Sequence, residues 1–302
     1  MNADAAYYSA QSRITDPGRF ADWAAGVPGD LSAIRKAARQ QVFHYRAGGD
    51  YAENGIEPGR ITEIDTRYAE RMLARLAELA DQPLAKDRAP GQRIVGCCRD
   101  FTVLFLAIAR QHGIPARARV GFAGYFEPGW WLDHVVAEVW DAGQRRWRLV
   151  DPELGDDHTD PTDGAPVDPE DIPGSKFLAG PYAWQQCRAG TAAADQFVVH
   201  PTVNIPGTKG WPYLRHNLIL DLAALNRHEM LLWDYWGLDE LDGEPSPGQL
   251  AVLDEAAAVT GASDTPLEEI QRLYQGDDFR VPDVLTSYSP AADGPLRIAV
   301  AV

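Results

Sequence analysis

The sequence predicts an α+β fold: a central helix packed on an antiparallel sheet, with helical regions added at both ends. Three observations carry that reading. Residues 96–113 hold Phe101, Leu104, Phe105 and Ile108 at i, i+3, i+4 and i+7, the spacing of one helix face. Three β-rich segments follow directly, Ala116–Phe122, His134–Trp140 and Trp147–Val150. Before residue 88 and after residue 211 the apolar residues return to helical spacing.

The elements follow in order. Residues 17–45 read as helical, interrupted at Pro28-Gly29, with Asp30 capping the second piece. Glycine, proline and asparagine make 46–60 a loop. A long amphipathic helix is expected over 61–81, with Ile64, Tyr68, Met72, Leu73, Leu76 and Leu79 on its apolar face, ended by Pro83, Pro90 and Gly91. The central helix should stop at Gly113, where a C-cap glycine belongs, with Pro115 behind it. Residues 155–210 are rich in Pro, Gly and Asp, and the acidic run 155–174 reads as a solvated loop. Residues 211–240 look helical and tryptophan-rich. Residues 249–275 suggest one or two helices, and Leu296–Val302 a short extended segment. The organisation expected is a helical N-terminal region over 1–88, a core over 89–155, and a loop-rich and helical C-terminal region over 156–302 packed on that core.

A chain of 302 residues can bury a sizeable core without cross-links. Its 45% hydrophobic and 24% charged residues exclude a disordered or collagen-like chain. No apolar run is long enough to span a bilayer, and the first residues show no basic start followed by an apolar stretch. A cytoplasmic protein with no membrane partner is therefore expected. The 28 Lys and Arg against 44 Asp and Glu give a net charge of −16, which repels phosphate, so no nucleic-acid partner is expected. The same charge tolerates cationic or amine partners. Cys97, Cys98 and Cys187 are an odd set and read as reduced thiols. Neither CxxC nor HxxxH spacing occurs, so no metal and no cofactor are expected; calcium in the acidic loop 156–171 has no EF-hand spacing behind it.

The chemistry starts at Cys98, which opens the central helix. Unpaired amides at a helix start carry partial positive charge, which favours a thiolate and so a nucleophile. Helical spacing aligns Cys98 with Phe101, Phe105 and Ile108. Cys97 is rotated about 100° away. His134 begins one strand and Asp151 ends another, with the turn-like Asp141–Arg146 between them. A two-residue loop at Ala142-Gly143, or a four-residue loop over 141–144, pairs residues whose numbers sum to 285. His134 then lies directly opposite Asp151 on one face, about 4.5–5.5 Å away at Cβ. That reach lets a carboxylate hold an imidazole in one tautomer. A three-residue loop would put them on opposite faces.

The stretch Gly96–Arg117, with Asp133–Trp140 and Trp147–Pro152, resembles the core of the transglutaminase-like superfamily over residues 94–155. The resemblance implies a transglutaminase/cysteine-protease-like fold with a papain-like Cys-His-Asp core: Cys98 as nucleophile, His134 as base and Asp151 as orienting acid. Cys97 stands where the family usually has another residue. Gln92, six residues before Cys98, matches the spacing of the papain-like oxyanion glutamine and is the oxyanion candidate beside the Cys98 amide; transglutaminases often use an aromatic residue from elsewhere. Asp168–Pro173, Phe177–Trp184, Asp221–Asn226 and Trp233–Trp236 are similar to segments of bacterial transglutaminase-like proteins. Trp130, Trp131, Trp184, Trp211, Trp233 and Trp236 are candidates to line the cleft. Arg99 and Asp100 fit a structural pair as well as a substrate contact, and Arg117 and Arg119 receive no role.

The function expected is that of a thiol enzyme. It would carry out acyl transfer or amide hydrolysis through a thioester, on an amide- or acyl-bearing substrate with an amine as the optional acceptor. The alternative is a catalytically silent binding protein of the same fold.

Overall fold

The computed structural model describes residues 3–300 apart from 242 and 263. Short helices α1 (Ala3–Ser9), α2 (Ala21–Ala25) and α3 (Leu31–Arg39) open the chain. Asp30 caps α3 as its place after Pro28-Gly29 predicts: its carboxylate accepts from the Ala33 amide at 2.9 Å. The helical expectation fails at its far end. Residues Val42–His44 form strand β1, which pairs in parallel with β2 (Ile94–Gly96). Between them, one long helix is replaced by a 3-10 stretch, Pro58–Asp65, and by α4 (Ala69–Leu79). The chain is extended at Thr66 and Tyr68, which lets the Ala69 amide reach the Ile14 carbonyl at 2.8 Å.

Helix α5 (Cys98–Gln111) is the centre of the fold, and every residue from Cys98 to Arg110 is buried. Its charged side chains are satisfied inside. Arg99 pairs with Asp100 and donates to the Glu229 carbonyl, while Arg110 pairs with the Glu229 carboxylate. These contacts give Arg99 and Asp100 a structural role. Gly113 ends the helix at φ +70°, the conformation a C-cap glycine supplies.

The sheet against α5 contains β3 (Ala116–Ala123), β4 (Trp131–Asp141) and β5 (Arg146–Val150), antiparallel in the order β5-β4-β3. Strand β6 (Phe177–Ala179) adds antiparallel to the free side of β3. Gly121 makes that approach possible: a Cβ there would lie 2.2 Å from the Leu178 carbonyl oxygen. The hairpin register differs from the expected one. Asp141 pairs with Arg146 and Ala137 with Val150, so the paired numbers sum to 287 and the loop is 142–145. The cause is local. The Asp141 carboxylate accepts from the amides of Gly143 and Gln144, and Arg145 sits at φ +55°, so the turn forms one residue later. A shift of two preserves the face of every side chain.

The Pro-, Gly- and Asp-rich stretch 155–210 contains regular structure beyond its acidic run: β6, then α6 (Gly180–Arg188), then β7 (Phe197–Val198), which pairs in parallel with the start of β4. Helix α7 (Gly210–Leu225) is almost wholly buried, but the helical expectation for 211–240 fails beyond it. There the chain forms β8 (Asp234–Tyr235) and a 3-10 turn, Gly237–Glu240. The one or two helices expected over 249–275 are two, α8 (Pro247–Gly261) and α9 (Leu267–Tyr274). Strands β9 (Val284–Ser287) and β10 (Leu296–Ala299) join β8 in a second sheet. The expected tail segment is extended as far as Ala299, and its last two residues, 301 and 302, lie outside the described residues.

The main core draws on Ile34, Leu76, Phe105, Val135, Leu218 and Leu253, so it unites α3, α4, α5, β4, α7 and α8. Among the described residues no helix is long and apolar enough to cross a membrane.

Candidate active site

The site forms where the main sheet opens. The β4–β5 ladder ends at Ala137–Val150, so residues 133–136 of β4 lack a β5 partner. The Thr102 hydroxyl donates to the Val135 carbonyl at 2.9 Å, which fixes the first turns of α5 along this open stretch. Cys98 lies one turn before Thr102 on the same helix face. Asp151 leaves the sheet as its amide donates to the Pro169 carbonyl at 2.8 Å.

His134 and Asp151 meet. His134 Nε2 and Asp151 Oδ2 are 2.8 Å apart, although the two residues are two positions out of direct opposition. Both side chains are buried. The carboxylate is satisfied on every side: Oδ2 also accepts from the Tyr125 hydroxyl at 2.7 Å, and Oδ1 from the Glu153 amide at 2.9 Å. The rings of Tyr125 and Phe126 stand edge-on to the imidazole. The Nε2 contact leaves Nδ1 of His134 as the nitrogen for other chemistry. Burial acts to raise the Asp151 carboxyl, but His134 and Tyr125 outweigh it and hold the carboxyl below its ordinary value. Burial likewise acts to neutralise His134, and Asp151 outweighs it, so the imidazole pKa is raised.

Cys98 lines a cleft of about 1470 Å³ together with Cys97 and Asp133. Among the described residues no hydrogen bond joins Cys98 to His134. The expectation of a lowered thiol pKa is reversed. Contact with the Cys97 thiol, then burial, then the charges of Asp133 and Glu153 hold Cys98 well above the ordinary thiol range. In the resting protein Cys98 is therefore a neutral thiol that must lose its proton to react. Cys97→Ala removes the first of these causes and should speed iodoacetamide alkylation of Cys98 at neutral pH, by about tenfold for each pKa unit regained. An unchanged rate, read by peptide mass spectrometry, would show that Cys97 does not restrain its neighbour. Cys187 lies outside the cleft lining, and burial pushes it up to about 11.

Gln92 does not reach this site. It sits in the 3-10 turn Pro90–Gln92, its side-chain oxygen accepts from the Ala89 amide at 3.3 Å, and it does not line the cleft. Tyr45, which sequence reasoning missed, does line it. The parallel pairing of β1 with β2 carries Tyr45 to the α5 start, and its amide donates to the Gly96 carbonyl at 2.9 Å. Its hydroxyl accepts from Arg46 Nε at 2.8 Å, so the phenolic hydrogen remains free to donate.

Of the tryptophan candidates, Trp184, Trp211 and Trp233 line the cleft, whereas Trp130, Trp131 and Trp236 do not. Trp131 stacks on Phe197, and Trp236 is core, its indole donating to the Phe279 carbonyl. Arg117 and Arg119 are structural: both pair with Glu138, and Arg119 also pairs with Asp221. Five carboxylates of the acidic loop are engaged in ion pairs, Asp156 with Arg35 and Lys36, Glu170 with Arg35, Asp160 and Asp163 with Lys176, Asp171 with Arg146. Among the described residues no three His, Cys, Asp or Glu side chains converge as metal ligands.

Residues 79–152 match the model of the transglutaminase-like superfamily. That transglutaminase-like segment contains Cys98, His134, Asp151 and Tyr125, while Tyr45 and the α7 wall of the cleft lie outside it. No curated protein matches the chain. Among solved structures, one from Cytophaga hutchinsonii, described as a "putative cysteine protease", aligns with 59% of this chain and 46% of its own at 16% identity and a TM-score of 0.37. The chain thus spans about half the length of that protein.

Proposed function

We propose that the protein is a thiol enzyme that transfers or hydrolyses an acyl group through a thioester on Cys98. The observation that carries this reading is the buried His134–Asp151 hydrogen bond, one strand residue from Asp133, which lines a cleft together with the helix-start Cys98 while His134 and Asp151 do not. Asp151 fixes the ring by Nε2 and leaves Nδ1 to take the Cys98 proton. The Cys98 sulfur then bonds to the acyl carbon, and the carbonyl oxygen becomes an oxyanion. The Cys98 amide, in the first helical turn and without an intrahelical acceptor, is one donor to it, and the Tyr45 hydroxyl replaces Gln92 as the other. As the tetrahedral adduct collapses, the bond from carbon to the leaving group breaks and His134 returns its proton to that group. Water or an amine next attacks the thioester, gives a proton to His134, and releases Cys98, which is reprotonated.

The raised pKa of His134 sets the pH dependence. The imidazole works as a base only when neutral, so thiol-dependent turnover should rise with pH along a limb above the ordinary histidine range. Asp151→Asn removes the largest of the charges that raise it and leaves Glu153 and Asp133 against burial, so the limb should move to lower pH while the maximal rate falls. Nitrophenolate release from p-nitrophenyl acetate across pH tests this. A limb unmoved by Asp151→Asn, or turnover that persists in Cys98→Ala, contradicts the proposal; the latter result would place the chemistry on another group.

A further inference from the structure

One oxygen of Asp151 serves two donors at once: Oδ2 meets His134 Nε2 at 2.8 Å and the Tyr125 hydroxyl at 2.7 Å. The second donor is built in. Just past β3 the Gly124 amide donates to the Lys176 carbonyl at 2.8 Å, and Tyr125 enters a small core with Leu154, Val167, Ile172 and Phe177. Its carbonyl faces His158 Nε2 at 2.9 Å, and the residue is fully buried, so backbone and ring are both held. Burial and the Asp151 charge push the Tyr125 phenol well above its ordinary range. It therefore remains a donor wherever the imidazole titrates.

A carboxylate that accepts an extra hydrogen bond is a weaker base, because each donor takes up part of its negative charge. What Tyr125 takes from Oδ2 is lost to an imidazolium at His134. Asp151, Glu153 and Asp133 all act to raise His134, and Tyr125 works against the first of them. A general base serves best when its pKa lies near the working pH, and an imidazole held too high stays protonated. We propose that Tyr125 is a positioning residue that, by sharing Asp151 Oδ2, restrains the carboxylate's pull on His134 and keeps the imidazole a neutral base down to lower pH than Asp151 alone would allow. The inference rests on the reading of His134 as the base and adds the residue that sets its working range.

A purely structural role predicts the opposite sign. If Tyr125 only held Asp151 in place, its loss would weaken the pair and lower His134, as in Asp151→Asn. If it competes for Oδ2, its loss raises His134. The test is NMR titration of the full-length protein carrying isotope-labelled histidine, with the His134 signal identified by its absence in His134→Ala. The other titratable groups that face the pair, Asp133, Glu153, Cys98 and His158, are the same in each variant, and His158 gives its own signal. Tyr125→Phe should move the His134 midpoint up by about half to one pH unit, the scale of one hydrogen bond. The pH limb of nitrophenolate release should follow it. Replacement of Tyr125 by 3-fluorotyrosine keeps the ring and makes the hydroxyl a stronger donor, so the midpoint should move down; this arm decides the matter even where Tyr125→Phe fails to fold. A midpoint unmoved or lowered in Tyr125→Phe, or unmoved or raised with 3-fluorotyrosine, overturns the inference. Failure of the thioester reading looks different: the His134 midpoint then moves as stated, while Cys98 forms no acyl adduct with p-nitrophenyl acetate.

Discussion

His134→Ala should lower Cys98-dependent release of nitrophenolate from p-nitrophenyl acetate by about 10²–10⁴-fold, the range expected for loss of a positioned general base. The effect is large because the resting Cys98 is a neutral thiol, held up by Cys97, burial and two carboxylates. A protein with a stable thiolate would lose less on removal of the histidine. The variant also leaves Asp151 buried with Tyr125 and the Glu153 amide as its remaining donors. A thermal melt must therefore accompany the rate. A loss under about tenfold in a folded variant would place the base elsewhere.

Asp221→Ala should be the most destabilising single change outside the site. Asp221 is fully buried, accepts from Arg119 at 2.9 and 2.8 Å, and also accepts from the Val120 amide at 2.8 Å. Its removal leaves Arg119 buried with the longer contacts to Glu138, at 3.3 and 3.4 Å, and to the Thr260 carbonyl, at 3.5 Å. Breaking a buried pair in this way costs about 3–5 kcal/mol. For a chain of this length that is a fall in Tm of about 6–10 °C. Arg119→Met in the same chain should recover part of the loss, because the stranded charge is then gone. A Tm within about one degree of the parent in Asp221→Ala would show that β3 and α7 are held together by their apolar contacts alone.

What the sequence disclosed and what it hid follow from the range of the interactions. The α5 helix, its Gly113 end and the three strands of the hairpin sheet were legible because each is coded by its own periodicity. The same-face placement of His134 and Asp151 was legible too, since a register error of two leaves faces intact. The error itself came from the Asp141 turn, where a side chain bonding to backbone amides moved the loop by one residue. Hidden features depend on contacts between distant segments. Tyr45 enters the cleft through a parallel β1–β2 pairing that leaves no local mark, and Tyr125 finds Asp151 only once β3 and β4 are assembled. Gln92 had the right spacing and the wrong partner, because Ala89 captures its side chain in a tight turn. The thiol was misjudged because helix position was weighed without the sulfur beside it and the carboxylates across the cleft.

The most direct measurement is mass-spectrometric capture of the acyl group. The full-length protein is incubated with p-nitrophenyl acetate, quenched in acid, and mapped by peptide before and after hydroxylamine. The account predicts one acetyl group on the peptide that contains Cys97 and Cys98, removed by hydroxylamine, abolished by Cys98→Ala and retained in Cys97→Ala. An adduct that survives Cys98→Ala, that lies on Cys187, or that fails to form while the protein is folded would contradict it.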